Sequence, residues 1–219
     1  MAAHPAIKVI GFDLDQTLYP KSPEIDAAIQ EYIYEKIAAH KNCSIEEAKM
    51  QFLSYYPGLS GRKTFLKLGI PNAEETVQEA LECGGIARFL KPDPIVRSLL
   101  ENIKKKYGSL SLLTGSDKKI MDKKLLALNV PITLFDCILS GETSKSDGTA
   151  YKHWMNFFME KDSSLKQENF LYIGDRCPID VDMPVSLGIQ VWLVNIAKNN
   201  PACSVPQFKS LLDLRKELL

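Results

Sequence analysis

The apolar run from Ile7 to Phe12 leads directly into Asp13-Leu14-Asp15, and this junction limits the fold more than any other stretch. The run reads as a short buried strand. A buried strand cannot finish in two unpaired charges without a large desolvation cost. Asp13 and Asp15 therefore need a cation or a proton, at a strand end that meets solvent. In extended backbone their side chains point the same way. An isolated Asp-x-Asp is usually a turn cap, so the other strand ends must decide.

After Pro20 the apolar spacing changes from strand to helix. Ile25, Ala28, Ile29, Ile33 and Ile37 share a face from Pro23 to Ala39, with Ser22 or Pro23 at the start. Ser44-Ile-Glu-Glu-Ala opens a second helix, to about Tyr55, with acids in its first turn. Shorter helices are expected over Arg62–Leu68 and Ala73–Glu82, the latter ended by Gly84-Gly85. No strand candidate occurs between Tyr19 and Lys91. The expected domains are therefore a core of 1–18 with 92–219 and a helical insertion of 19–91.

From Pro92 onward, helices alternate with apolar runs. Leu110–Leu113, Phe135–Leu139, Phe170–Ile173 and Val191–Val194 read as strands. Helices are expected from Pro92 to Lys106, from Ser116-Asp117 to Leu128, over Ala150–Lys161, Asp180–Leu187 and Pro206–Leu218. This alternation implies βαβ units and a parallel sheet, an α/β fold. In such sheets polar chemistry gathers beyond the carboxyl ends of the strands. Three of these ends are polar and backbone-permissive: Asp13-x-Asp15, Thr114-Gly115-Ser116 and Gly174-Asp175. If the strands are neighbours, the three ends meet.

Composition excludes several partners. The chain has 27 Lys plus Arg against 27 Asp plus Glu, which argues against a general nucleic-acid or anionic-membrane binder. No apolar run approaches membrane-spanning length, and Met1–Lys8 has no signal-peptide pattern. The five cysteines, at 43, 83, 137, 177 and 203, show no Cys-x-x-Cys. They are expected to be thiols in a reducing, cytoplasmic setting. His4, His40 and His153 are too scattered for zinc, so any metal should have oxygen ligands, which points to Mg²⁺.

The chemistry these residues suit is phosphoryl transfer. Asp13 is the candidate nucleophile, giving an aspartyl-phosphate. Asp15 is the candidate acid for the leaving alkoxide and base for the water. Asp175 and Asp180 add carboxylates that a bound Mg²⁺ would balance. Thr114 offers a hydroxyl, and the N–H groups of Gly115 and Ser116, at an expected helix start, favour an anion. A lysine is wanted for the phosphate charge, either Lys152 or Lys145. Trp154, Phe157 and Phe158 at helical spacing read as core rather than as a substrate platform, and Tyr55, Tyr56 and Arg62 read as helix packing, with substrate contact as the alternative.

In this order the strand ends resemble the haloacid dehalogenase-like hydrolase superfamily. Its first motif, Asp-x-Asp-x-Thr, is matched by Asp13-Leu-Asp15-Gln-Thr17. The second, an apolar strand ending in Thr or Ser, is matched by Leu110–Thr114. The fourth, Gly-Asp-x-x-x-x-Asp, is matched by Gly174-Asp175 through Asp180. The resemblance implies a Rossmann-like core with sheet order 5-4-1-2-3 and a helical cap between the first two motifs. It also implies that Asp13 is nucleophile and metal ligand, that Asp15 binds the metal through its carbonyl, that Asp175 is a metal ligand, and that Asp180 stands behind them. Two positions depart from the pattern. Thr114 is followed by Gly115 where Asn is common, and no Lys-Pro marks the third motif. Lys152 is the preferred lysine there, because it begins a helix and Phe158 follows at an apolar position. Leu18-Tyr19-Pro20 and Phe89-Leu-Lys-Pro-Asp93 resemble the pyrimidine 5′-nucleotidase branch.

The expected function is a Mg²⁺-dependent phosphatase for a small phosphorylated metabolite, such as a nucleoside monophosphate. The chain is expected to be a monomer or homodimer, without nucleic-acid or membrane partners. A dehalogenase would need neither Asp15 nor Asp175. A phosphomutase would keep both. A non-catalytic regulator would usually have lost one of these acids, and none is lost.

Overall fold

The computed structural model describes residues 7–56, 59, 61–73, 75–76, 79–80, 86–177 and 179–219. Five strands form one parallel sheet: β1 (Val9–Phe12), β2 (Ser111–Leu113), β3 (Cys137–Leu139), β4 (Phe170–Gly174) and β5 (Gln190–Leu193). Their order is β3-β2-β1-β4-β5, which from the opposite edge is 5-4-1-2-3. β1 is central, with Gly11 opposite Ser111 on one side and Tyr172 on the other. All four of its residues are buried. A central parallel strand has both faces covered, which explains its unbroken apolar sequence. A Cβ on Gly11 would stand 2.7 Å from the Trp154 ring, so that glycine lets a buried indole lie against the strand.

The chain forms two compact units, 1–20 with 91–219 and 21–90. In the larger unit, α4 (Pro94–Tyr107) precedes β2, α5 (Lys118–Ala127) follows it, α6 (Thr149–Met159) precedes β4, and α7 (Asp182–Ser186) precedes β5. Helix boundaries follow local chemistry. Asp93 caps α4 by accepting from the N–H groups of Ile95 and Val96, and Gly108 ends it in the left-handed region. In α6 the buried residues Ala150, Tyr151, Trp154, Met155 and Phe158 form one stripe, which packs on Phe170 and Tyr172 of β4.

The smaller unit is helical in its described residues. It contains α1 (Pro23–Lys41), α2 (Ile45–Leu53) and α3 (Gly61–Lys67). Ser44 and Glu47 make a reciprocal capping box at the start of α2. This unit has its own core, where Phe52 meets Tyr34 edge-on, stacks on Tyr56 and touches Phe65. Tyr56 is thus a packing residue, while Tyr55 is exposed. The Arg62 side chain and half of the expected helix over Ala73–Glu82 lie outside the described residues.

Two expectations need correction. The C-terminal helix does not begin at Pro206. Residues 206–208 run beside β5, with Phe208 N–H bonded to Leu193 O and its ring 5.4 Å from that of Trp192. Helical structure begins only with a 3₁₀ turn at Leu211–Leu214, followed by α8 (Arg215–Leu218). The cysteines are also not all thiols, for Cys177 and Cys203 form a disulfide. Cys43 and Cys137 are free, and Cys83 is outside the described residues. No helix among the described residues is long and apolar enough to cross a membrane.

Candidate active site

Neighbouring strands bring the acids together. Asp13 follows β1 directly, and its N–H donates to Ile173 O of β4 at 2.8 Å. Gly174 ends β4 and Asp175 follows it. Carboxylate oxygens of Asp13, Asp175 and Asp180 lie within 4.8 Å of one another. Thr114 is buried at the end of β2, where its N–H pairs with Leu139 O.

Gly174 is required by Asp180. A Cβ at 174 would lie 2.6 Å from the Asp180 Cβ and 2.8 Å from its Cγ, inside the distance that atoms tolerate. Asp180 is fully buried and serves the turn around it. Its Oδ2 accepts from the N–H groups of Asp175 (3.3 Å) and Arg176 (3.1 Å). Its Oδ1 accepts from Lys145 (3.2 Å) and Tyr172 (3.3 Å). Burial would raise its pKa, but Lys145 and Arg176 hold it below the ordinary value. Asp180 is thus an organiser with its lone pairs largely engaged.

The lysine beside Asp13 is Lys145, not Lys152. Lys145 Nζ stands 3.1 Å from Asp13 Oδ1 and 3.2 Å from Asp180 Oδ1, with its side chain 9% exposed. Lys152 is exposed on α6. The reason is helical phase: the α6 stripe buries residues on either side of Lys152 and His153 and leaves those two facing out. That stripe is visible in the sequence, and it could have ruled Lys152 out. Burial would lower the Lys145 pKa, but the charges of Asp13 and Asp180 hold it above the usual lysine range.

Asp15 has a different set of partners. Its Oδ1 accepts from Lys124 Nζ at 2.6 Å and from the Tyr19 hydroxyl, and its Oδ2 accepts from Ser116 Oγ at 2.9 Å. Burial would raise this carboxyl, yet the Lys124 charge and the three donors hold it below the ordinary aspartate value. Both Ser116 donors, expected to face an anion, are engaged within the protein in this structure. Its N–H donates to Thr114 Oγ1 at 3.1 Å and its hydroxyl to Asp15. The helix after β2 is capped by Asp117, the second of the two expected cap residues, with Ile120 N–H on its Oδ1.

Two further residues were not singled out from the sequence. Lys124 is 1% exposed. With Met121, Leu125 and Leu128 it lies on the buried face of α5 and the turn that follows, so a lysine on an apolar stripe was the available signal. Asn195, after β5, donates to the carbonyls of Gln16 (2.8 Å) and Thr17 (3.1 Å), and its Oδ1 accepts from Leu211 N–H (3.3 Å). It ties the turn after Asp15, where Gln16 is left-handed (φ 57°), to the far edge of the sheet. No sequence pattern marked it.

The donor set fits a hard cation. Asp175 Oδ1 is buried without a hydrogen-bond partner, and the Arg176 guanidinium is 3.7 Å away. Burial, against the pull of Arg176 but with the repulsion of Asp180 and Asp13, pushes the Asp175 carboxyl up to about 7. Burial likewise pushes Asp13 up to about 6, against Lys145 and with Asp180 and Asp15. Buried carboxylates crowded in this way are relieved by a divalent ion with oxygen ligands.

The profile of the haloacid dehalogenase-like hydrolases matches residues 10–194. The chain belongs to that family. Among curated proteins, Phosphate metabolism protein 8 of Saccharomyces cerevisiae is 32% identical over 120 residues, 52% of this chain and 37% of that protein. The matched part thus spans little more than a third of that relative. Among solved structures, a HAD phosphatase from Thermococcus onnurineus superposes with TM-score 0.64 at 19% identity, covering 97% of this chain and 98% of that one. A haloacid dehalogenase-like family hydrolase from Streptococcus pneumoniae gives 0.65 at 18% identity, covering 97% and 99%. Both likenesses carry the fold.

Proposed function

We propose that this hydrolase is a Mg²⁺-dependent phosphatase that cleaves a small phosphomonoester through an aspartyl-phosphate on Asp13. The observation that carries the reading is the grouping of Asp13, Asp175 and Asp180 within 4.8 Å, with Lys145 against the first and third. Asp13, Asp175 and the carbonyl of Asp15 would hold the ion, and Asp180 would support them through the turn. When bound, Mg²⁺ supplies positive charge that neutralises phosphate oxygens.

The remaining steps belong to the chain. Lys145 and the Leu14 N–H, at 3.1 and 2.8 Å from Asp13 Oδ1, fix the carboxylate that attacks phosphorus. The P–O bond to the leaving group breaks as the bond to Asp13 forms; Asp15, held ionised by Lys124 in the resting site, would take up a proton when substrate binds and give it to the departing oxygen. Asp15 then takes a proton from the water that hydrolyses the acyl phosphate. Thr114 and the backbone at Gly115 are proposed to border the phosphate. The name of the yeast relative points to phosphate metabolism and supports this reading. The nucleotidase-like stretches at Leu18–Pro20 and Phe89–Asp93 make nucleoside monophosphates the first substrate class to test.

The test is hydrolysis of p-nitrophenyl phosphate, nucleoside monophosphates and sugar phosphates with Mg²⁺ or with EDTA. Turnover is expected with Mg²⁺ and lost in EDTA, and Asp13→Asn should abolish it. Full activity in EDTA, or in Asp13→Asn, would refute the metal or the nucleophile respectively.

A further inference from the structure

Lys145 reaches Asp13 from the loop between β3 and α6, not from a helix or a strand. Its loop neighbours Ser146 and Asp147 are exposed, yet its own side chain is 9% exposed. A long side chain on such a loop surrenders much rotamer freedom when its head is fixed. The partners of the ammonium must therefore do the fixing. Two of them are the carboxylates of Asp13, at 3.1 Å, and Asp180, at 3.2 Å. The third is the phenol of Tyr172, whose oxygen accepts from Lys145 Nζ at 2.9 Å.

Tyr172 offers a rigid mount. It lies on β4 opposite Gly11 of β1, and it is fully buried. The ring of Tyr151 meets it edge-on at 5.1 Å, and that of Trp154 at 6.5 Å. The hydrogen count balances. The phenol gives its own proton to Asp180 Oδ1 at 3.3 Å, which leaves its lone pairs for the ammonium, and the three ammonium protons have three acceptors. A neutral acceptor does nothing for the charge balance of the acids. What it adds to two carboxylates is direction, because the head can no longer slide from one to the other. The direction matters at Asp13. Lys145 and the Leu14 N–H both meet Oδ1, and among the described residues no donor reaches Oδ2. One oxygen is held, and the other is left for the bonds formed in the reaction.

We propose that Tyr172 is a positioning residue that sets the Lys145 ammonium against Asp13 and so fixes the direction of the attacking carboxylate. This inference rests on the phosphatase reading. In the step concerned, a bond forms from an Asp13 oxygen to phosphorus and the ester P–O bond breaks. Tyr172 touches neither and exchanges no proton. Without its hydroxyl the ammonium keeps its charge but can swing, so the attacking geometry is met less often.

The experiment is a double-mutant cycle on kcat/KM for p-nitrophenyl phosphate, measured on the full chain with saturating Mg²⁺. Tyr172→Phe removes only the hydroxyl and is expected to lower this parameter about 10-fold. Lys145→Met is expected to lower it about 100-fold or more. If Tyr172 acts through Lys145, adding Tyr172→Phe to Lys145→Met should cost less than about twofold more. A merely structural role does not vanish when the lysine is gone, so independent effects would multiply to about 1,000-fold. Tyr172→Met and Lys145→Gln carry the same cycle should either first choice fail to fold. Multiplied effects overturn the inference, as does a folded Tyr172→Phe variant with the wild-type rate. Wild-type protein inert toward p-nitrophenyl phosphate and the other esters named above overturns the phosphatase reading, and this inference with it.

Discussion

Asp175→Asn should make the metal-free protein more stable, and the size follows from the crowding at the strand ends. Burial and neighbouring acids lift the Asp175 carboxyl from the ordinary 3.8 to about 7. Three powers of ten in proton affinity, at about 1.4 kcal/mol each, set a ceiling of about 4 kcal/mol. Relaxation of the site and coupling to Asp13 lower it, so ionised Asp175 is expected to cost the metal-free fold about 2–4 kcal/mol at pH 8. Because the folded-state value is raised, the folded chain binds more protons than the unfolded one between about pH 4 and pH 7, and stability falls as pH rises through that window. Asp13, raised to about 6, acts in the same direction. Asp15 and Asp180 are lowered, so they are ionised below the window and do not offset the trend. The assay is urea unfolding in EDTA at pH 5 and pH 8, followed by tryptophan fluorescence. Trp154 and Trp192 are both buried in the larger unit, so the signal reports the part that holds the site. Wild type should lose stability between the two pH values. The variant should lose less and should exceed wild type at pH 8. Mg²⁺ at about 100 times its dissociation constant should return about 2.7 kcal/mol to wild type and much less to the variant. A wild type indifferent to pH in EDTA, or a variant less stable than wild type at pH 8, would refute the argument that these acids are held together against their repulsion.

Lys145→Met and Lys152→Met separate the two lysines. The first should lower kcat/KM about 100-fold or more, as loss of a fixed charge at a reacting centre does, and the second should leave it within about twofold. Equal effects would restore Lys152 to the site. Cys203→Ser opens a disulfide that spans 26 residues and should cost about 3 kcal/mol by loop closure. Denaturation with and without reductant checks this, and a wild type unaffected by reductant would show that the bond contributes nothing in solution.

The acids were legible because each ends an apolar run, where a charge has few structural uses. Asp13, Thr114 and Gly174-Asp175 could be ordered without coordinates; the alternation gave a parallel sheet, and the strand order came only with the family resemblance that those motifs carry. The cations were not legible in this way. Lysine is common on surfaces, and Lys145 lies in a polar loop beside two serines, where it looks solvated. Only the fold shows that loop turning its lysine onto Asp13. The helical phase that exposes Lys152 and buries Lys124 was present in the sequence, but it needed to be read against charge rather than against core packing. Cys177 and Cys203 carry no spacing signal, since their approach depends on how the turn before Asp180 meets the segment after β5. The extended path at Pro206–Phe208 was missed for a related reason. Its apolar residues pair with β5 and Trp192, and that tertiary partner overrides local helical preference.

The room missing beside Gly174 has a hereditary consequence. No unusual torsion reserves position 174 for glycine, because it is absent from the left-handed residues. The constraint is the carboxylate already standing there. Alanine at 174 becomes admissible only once position 180 shrinks or retreats, and a shrunken 180 surrenders the anchor of Lys145. The two sites must therefore mutate as partners or not at all, so that a lineage which lost one would be expected to drift at the other.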